Sequence, residues 1–258
     1  MTAELRTERR DTTLVLTISD PGSRNALTPQ VLAAGIEALS VAEADPSVHT
    51  VVLVGDGAHF CAGSDLQRLA ADRKDPGAAM QQGQMFNQFI EALRTHPKPV
   101  IAAVEGTAAA GGFSLALACD LIVAAEDARF AMAQGHVGLS PDGGGSWHLA
   151  RALPRALALQ LIWQGEPVTA RELQARGLVN RVTDSGQAFV EALRWAHQLS
   201  ACAPNVLASA KELVNQARLR PLNEHLNSES THFADTLSHA NGAEGLQAFL
   251  EKREPRFR

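Results

Sequence analysis

The sequence predicts an α/β fold that continues into a helical C-terminal region. Apolar, strand-like runs alternate with segments of helical periodicity as far as residue 182, and from residue 187 onward only helical periodicity remains. At 258 residues with 45% apolar residues, the chain is long enough to bury a large core. We therefore expect a core over residues 1–198 and a helical region over residues 199–258.

The first elements follow from turn and cap signals. A strand is expected over residues 12–18, and Thr28, followed by proline, caps the next helix. Residues 48–54 form a second buried strand, and the apolar stripe of residues 80–94 predicts an amphipathic helix. The charged segment 71–79 between them contains Pro-Gly and is predicted to be a mobile loop.

Residues 98–125 predict a strand, a glycine turn, a helix of small residues and a second strand. Gly111 and Gly112 fall at the expected start of this helix. Backbone N–H groups without a neighbouring Cβ, at the positive end of a helix dipole, suit a negatively charged oxygen. Close packing of the small residues without any ligand is the alternative interpretation.

A second candidate donor loop follows the strand at 48–54. The N–H of Ser64 comes directly after Gly63 and at a helix start, as in the first loop. Asp65 is either a catalytic acid or a cap of the first helical turn, and its position favours the cap.

A third glycine-rich segment, residues 138–146, surrounds Asp142. Proline before this residue and three glycines after it hold it on a constrained turn. The pattern predicts that Asp142 caps a helix beginning near Gly144, and a catalytic role is the alternative.

Composition and charge exclude several classes of protein. The net charge is −5 and the basic residues are scattered, so neither nucleic acid nor an anionic membrane is an expected partner. No signal peptide and no membrane-spanning run is found, which favours a cytoplasmic protein with its three cysteines reduced. His225, His232 and His239 recur every seven residues, about 10 Å apart along a helix, so no metal site is expected.

Taken together, the motifs resemble those of the crotonase, or enoyl-CoA hydratase/isomerase, superfamily over nearly the whole chain. The motifs that carry the resemblance are residues 25–27 (NAL), 60–66 (FCAGSDL), 98–120, 138–146, 177–179 (GLV), 244–245 (EG) and 249–253 (FLEKR). The resemblance implies a crotonase/ClpP-like spiral of strand–strand–helix turns with a helical C-terminal trimerisation region. It also implies assembly as a trimer or a dimer of trimers.

The resemblance further implies an acyl-CoA substrate and no separate cofactor, because coenzyme A is part of the substrate. By matching positions, the backbone N–H groups of Ser64 and Gly111 form the oxyanion hole for the thioester oxygen. The resemblance also implies substrate binding by Gln134 and, along the CoA path, by Arg24, Ala62, Asp65 and Leu66. Phe249 and Lys252 would reach the nucleotide end of CoA, bound either to the same chain or to a neighbouring subunit.

The acids of the site depart from the pattern of the hydratases. Members that hydrate enoyl-CoA carry two glutamates, and the matching positions here hold Ser114 and Gln134. By the same resemblance, an aspartate at the position of Asp142 is typical of members that resemble 1,2-epoxyphenylacetyl-CoA isomerase. In the aryl-CoA dehalogenases of the family, the aspartate at this position is the nucleophile. The dehalogenases add a histidine whose position here is Asn87, so that chemistry ranks low.

The favoured hypothesis is an isomerase in which Asp142 shuttles a proton while Ser64 and Gly111 hold an enolate. A hydratase is the first alternative, with Asp142 activating water that Ser114 or Gln134 orients. The second alternative is a non-catalytic protein that binds acyl-CoA. Aliphatic and aromatic acyl groups both fit the apolar residues near 80–89 and Trp147.

Overall fold

The computed structural model describes residues 3–257, apart from the side chain of Pro76. The strands are β1 (Glu4–Arg10), β2 (Thr13–Ser19), β3 (Thr50–Gly55), β4 (Val100–Val104), β5 (Thr107–Ala109), β6 (Leu121–Ala125), β7 (Arg129–Ala131), β8 (Val168–Thr169) and β9 (Arg181–Thr183). The helices are α1 (Pro29–Ala44), α2 (Leu66–Asp72), α3 (Pro76–Thr95), α4 (Gly111–Ala118), α5 (Gly145–Ala152), α6 (Arg155–Gln164), α7 (Ala170–Gln174), α8 (Ala188–Ser200), α9 (Pro204–Gln216), α10 (Leu222–Ser238) and α11 (Ala240–Glu251).

The strands form two sheets. The main sheet has the order β1-β2-β3-β4-β6-β9 and is parallel except for the β1–β2 hairpin at its edge. The small sheet has the order β5-β7-β8. Two isolated parallel bridges, Leu27 with Ser64 and Cys61 with Ala108, pair further backbone segments. Successive turns of the chain thus pass from a main strand to a short second strand and then to a helix, which is the predicted spiral.

Alternation along the main strands places apolar side chains on both faces of the sheet. Leu53 and Ala102 belong to the large core on one face, whereas Val52 and Ile101 belong to a second cluster on the other. Helix α8 covers the second face with three buried alanines, four residues apart: Ala188, Ala192 and Ala196. The main strands are therefore buried on both sides, as a parallel sheet requires.

One strand was missed and one local prediction was wrong. Strand β1 was not predicted, because its residues are mostly charged and exposed, which suits the edge of a sheet. The segment 71–79, predicted as a mobile loop, is largely helical, since α2 ends at Asp72 and α3 begins at Pro76. Asp75 caps α3 by accepting hydrogen bonds from the N–H groups of Gly77 and Ala78, at 3.0 and 3.2 Å.

The C-terminal helices bury little of their own surface. Helices α9 and α10 contain no buried residue, and the apolar residues of α10 form an exposed stripe. The stripe consists of Leu222, Leu226, Phe233 and Leu237. The domain boundary at residue 198 stays a prediction, and it falls near the end of α8.

No helix in residues 3–257 combines the length and apolar character that crossing a membrane requires. All three cysteines are free thiols, with Cys61 and Cys119 buried and Cys202 exposed.

Candidate active site

Three successive turns of the spiral meet at a cavity of about 210 Å³. Each contributes residues between its second strand and the following helix: Ser64 before α2, Gly111 at the start of α4, and Gln134 with Asp142 before α5. The remaining wall is mainly apolar and includes Leu66, Leu69, Val137 and Leu139. The three glycine-rich segments of the sequence are thus brought to one place.

The two candidate donor loops touch through their backbones. Gly63 has a φ of +91°, and a Cβ built on it would lie 2.8 Å from the backbone nitrogen of Gly111. The Gly63 carbonyl accepts the Leu27 N–H at 2.7 Å, which holds this loop in place. The hydrogen bonds of the described residues leave the N–H groups of Ser64 and Gly111 without a protein acceptor. This pair of donors can bind an oxygen that develops negative charge.

The two glycines at the start of α4 have different roles. A Cβ on Gly112 would overlap the carbonyl of Cys61, so this glycine permits close backbone packing. A Cβ on Gly111 would lie 3.5 Å from Oδ1 of Asp142, so Gly111 faces the cavity. Ala110 before them has φ 50° and ψ −121°, a strained conformation for a residue with a Cβ. Nothing in the sequence pattern indicated this strain.

Asn25 fixes the loop that leads to Ser64, a role that the sequence analysis missed. Its buried side chain accepts a hydrogen bond from the Asp20 N–H at 2.9 Å and donates to the carbonyls of Asp56 and His59 at 3.0 and 2.7 Å. Three backbone groups outside regular strands are satisfied by one amide. An Asn after a turn and before a capped helix was the only available signal.

Asp142 does not cap the helix that follows it, so that prediction was wrong. Helix α5 begins at Gly145, and no side chain caps it. Gly143 and Gly144 adopt φ values of +58° and +75°, which turn the chain so that the backbone carbonyl of Asp142 accepts the Gly145 N–H at 3.2 Å. The carboxylate is left to point elsewhere, and its Oδ1 accepts a hydrogen bond from Nε2 of Gln134 at 2.9 Å.

The environment of Asp142 favours its neutral form. Burial raises the pKa of the Asp142 carboxyl above its ordinary value. Hydrogen bonds from Gln134, from its own backbone N–H and from the Ser64 hydroxyl lower that pKa in part. A carboxylate with a raised pKa is a stronger base, which suits removal of a proton from carbon.

Ser114 and Gln134, at the two positions where the resemblance implies glutamates in hydratases, differ in location. Ser114 is fully buried, is not among the residues that line the cavity, and donates its hydroxyl to the backbone carbonyl of Asp142 at 2.8 Å. Its contact holds the turn that carries Asp142. Gln134 lines the cavity and contacts the carboxylate directly.

Only some of the other predicted binding residues line the cavity. Ala62 and Leu66 line the cavity, whereas Asp65 caps α2 by accepting from the N–H groups of Gln67 and Arg68, at 2.9 and 3.3 Å. Arg24 is exposed and its carbonyl accepts the Ala62 N–H at 3.0 Å. Phe249 and Lys252, at the end of α11, are exposed and lie outside the cavity wall. Their contacts with CoA stay predictions.

A larger cavity, of about 520 Å³, lies between α4, α5 and α9. Trp147, which the sequence analysis considered as compatible with the acyl group, lines this cavity and not the smaller one beside Asp142. The guanidinium groups of Arg94 and Arg151 lie 4.6 and 3.8 Å from the centre of its ring. Neither Ser64, Gly111 nor Asp142 lines this larger cavity, so the candidate site is the smaller one.

The fold and the site together define an enzyme with the crotonase fold. The chain belongs to the enoyl-CoA hydratase/isomerase family, whose sequence model matches residues 8–258. This finding confirms the resemblance and the fold class that the sequence predicted.

Individual relatives extend over nearly the entire chain. An enoyl-CoA hydratase, EchA19, from Mycobacterium tuberculosis is 35% identical over 97% of this chain and 94% of its own length. The 1,2-epoxyphenylacetyl-CoA isomerase of Escherichia coli is 33% identical over 95% of this chain and 94% of its own. The crystal structure of an enoyl-CoA hydratase from Polaromonas sp. JS666 is 53% identical, with a TM-score of 0.97, and covers 99% of this chain and 100% of that one.

Proposed function

We propose that this enzyme isomerises an acyl-CoA thioester, either an enoyl-CoA or an epoxy- or arylacetyl-CoA, with Asp142 as the proton shuttle. One observation carries the proposal: among the described residues that line the cavity, Asp142 alone has a carboxyl group. Isomerisation needs only one group that removes a proton and returns it.

The steps of an enoyl-CoA isomerisation balance with the residues at the site. Asp142 removes a proton from one carbon of the acyl chain, and the electron pair moves onto the thioester oxygen to form an enolate. The N–H groups of Ser64 and Gly111 stabilise this oxygen. Protonated Asp142 then returns the proton to a different carbon, the double bond has moved, and Asp142 is ionised again.

Hydration of an enoyl-CoA is the second candidate, because most of the named relatives are hydratases. One of them, the 2,3-dehydroadipyl-CoA hydratase of Escherichia coli, is 34% identical over 99% of this chain. In this case Asp142 would activate a water molecule and Gln134 would orient it. Ser114 contributes no support, since its hydroxyl is bonded to the Asp142 carbonyl.

Turnover in heavy water separates the two candidates. A panel of 2-enoyl-, 3-enoyl-, epoxy- and arylacetyl-CoA esters is incubated with the enzyme, and the products are analysed by mass spectrometry. We expect an isomer without added water, which contains deuterium to the extent that the proton on Asp142 exchanges with solvent before it is returned. A product heavier by one molecule of heavy water would favour hydration, and an absence of both deuterium exchange and turnover across the panel would contradict proton transfer by Asp142.

We also infer that the C-terminal helices carry self-association, as a trimer or a dimer of trimers in the cytoplasm. The exposed apolar stripe of α10 supports this inference, because a helix with one apolar face and no buried residue lacks a partner surface. Light scattering should give the mass of three or six chains. Phe233→Glu should lower this mass at dilute concentration, whereas Thr231→Glu, on the opposite face of α10, should not. A monomeric parent protein would contradict the inference.

A further inference from the structure

We propose that Gln134 is a positioning residue whose side-chain amide serves both protonation states of Asp142. The amide donates a hydrogen bond to the ionised carboxylate and, after a half-turn, accepts one from the protonated carboxyl group. This inference rests on the proposed proton transfer by Asp142. It assigns to Gln134 a role in the proton transfer itself, in place of binding substrate or water.

The backbone of Gln134 is fixed relative to the oxyanion site. Gln134 lies in a short 3-10 helix, Ala133–Val137, directly after β7, which pairs with β5 ahead of Gly111. The Ala131 carbonyl accepts the Ala110 N–H at 2.7 Å, next to Gly111. The carbonyl of Gln134 accepts the Leu139 N–H at 3.0 Å, which closes the loop toward Asp142. These backbone hydrogen bonds therefore hold the main chain of Gln134 in place, and its side-chain amide can turn about a fixed position.

The side-chain contact places the carboxylate beside the donor pair. Nε2 of Gln134 is 2.9 Å from Oδ1 of Asp142, and the same oxygen lies 3.5 Å from the Cβ position of Gly111. Gln134 is only 6% exposed, so water does not compete freely for this hydrogen bond. The bond holds Oδ1 of the carboxylate close to Gly111, one of the two candidate donors.

The other end of the amide is left without a partner. Oε1 of Gln134 is buried, and no donor among the described residues bonds to it. A buried carbonyl oxygen without a donor costs free energy. The amide nevertheless keeps its Nε2 toward Asp142, because the ionised carboxylate requires a donor. When Asp142 gains a proton, its O–H requires an acceptor, and a half-turn of the amide brings Oε1 to that place. Glutamine is uncharged and carries both functions, whereas leucine has neither and glutamate adds a like charge.

Other titratable groups near Asp142 are uncharged or engaged elsewhere. Burial raises the pKa of the Cys61 thiol to about 12. Burial, with Arg94 and Arg151 nearby, lowers the pKa of His148, beyond Gly144, to about 4. His136 lines the cavity, and its Nε2 is 2.7 Å from the Gln164 carbonyl. Gln134 and the Ser64 hydroxyl are thus the side chains that oppose the effect of burial on Asp142.

The test compares Gln134→Leu and Gln134→Glu with the parent enzyme. The pH dependence of kcat/KM is measured, and the carboxyl stretch of protonated Asp142, identified by its absence in Asp142→Asn, is titrated by infrared spectroscopy. Gln134→Leu removes a hydrogen bond to the charged carboxylate. We therefore expect kcat to fall by about 10- to 100-fold with little change in KM, and the apparent pKa of Asp142 to rise. Gln134→Glu should be least active where both carboxyl groups ionise and should recover toward acid pH, where the protonated glutamate can donate.

Two further variants, Gln174→Leu and Asp142→Asn, test the role of Gln134 separately from that of Asp142. Gln174→Leu, an exposed glutamine on α7, should leave the rate and the pKa unchanged. If Gln134→Leu keeps the parent rate and pKa while Asp142→Asn is inactive, the role of Gln134 is wrong and proton transfer by Asp142 stands. If Asp142→Asn still turns over, the proposed function itself fails. Should Gln134→Leu not fold, the pH dependence of Gln134→Glu decides, and a flat profile would overturn the inference.

Discussion

Replacing Asp142 with asparagine is expected to reduce kcat by about 10²- to 10⁴-fold, the usual contribution of a positioned acid or base. Asparagine keeps the shape of the side chain and can still accept the hydrogen bond from Gln134, but it cannot take a proton from carbon. KM should change far less, because the donors at Ser64 and Gly111 are retained. Steady-state kinetics on the substrate identified in heavy water provide the measurement, and near-parental turnover would contradict the proposed function.

The same variant should not lose stability, which separates a chemical defect from a folding defect. Burial raises the pKa of Asp142 in the folded protein above the ordinary value of 3.8. The unfolded chain therefore releases this proton first as the pH rises through 3.8, so the free energy of unfolding falls from that pH upward and levels off once the pH exceeds the folded pKa. Asp142→Asn removes that cost. The free energy of unfolding in urea is measured for Asp142→Asn and for the parent enzyme. The difference should favour the variant more near neutral pH than well below pH 3.8, where Asp142 of the parent holds its proton in both the folded and the unfolded state.

Replacing Gly63 with alanine is expected to lower kcat by about 10²- to 10³-fold, the typical effect of losing one oxyanion donor. The new Cβ would lie 2.8 Å from the backbone nitrogen of Gly111 and 3.0 Å from the carbonyl oxygen of Ala109. The donor loops must then move apart, and the Cβ screens the Gly111 N–H. The measurement is kcat together with the stability of the folded variant.

Gly57 provides the matched control for this substitution. Its φ of +74° imposes comparable backbone strain on alanine, but a Cβ there would have no atom within 4 Å. Gly57→Ala should lose about 1–2 kcal/mol of stability from the left-handed conformation while its kcat stays close to that of the parent. Equal losses of kcat in the two variants would show that strain, and not the donor geometry, is responsible.

Much of the scaffold was predictable because it depends on neighbours in the sequence. Apolar runs identified β3 and β4, and Thr28 identified the start of α1, where its hydroxyl accepts the Val31 N–H at 3.3 Å. The glycines before Ser64 and at the start of α4 marked the two donor loops, since turns without a Cβ leave a local signature. Asp65 was also correctly favoured as a helix cap.

The failures share one cause, which is that a local pattern was read without its three-dimensional surroundings. Asp142 has the sequence of a helix cap, yet the left-handed glycines after it direct its carboxylate to Gln134. Strand β1 has a polar sequence, and its pairing with β2 makes it a strand. The local pattern alone did not tell which of Gly111 and Gly112 faces the cavity, and only the family resemblance selected Gly111.

The sequence by itself determined the fold class and the family of this protein and marked the candidate donor loops, because these depend on periodicity, turns and motifs over short stretches. The tertiary structure alone decided that the Gln134 amide meets Asp142, that the Ser114 hydroxyl holds the Asp142 carbonyl, and that Gly63 touches Gly111. Such contacts depend on how the two sheets and their helices pack, and no local interaction encodes that. The stretch around Gly111 therefore supplies the proposed electrostatic part of the site, and the proposed proton-transferring residue, Asp142, is brought beside it from a later turn of the fold.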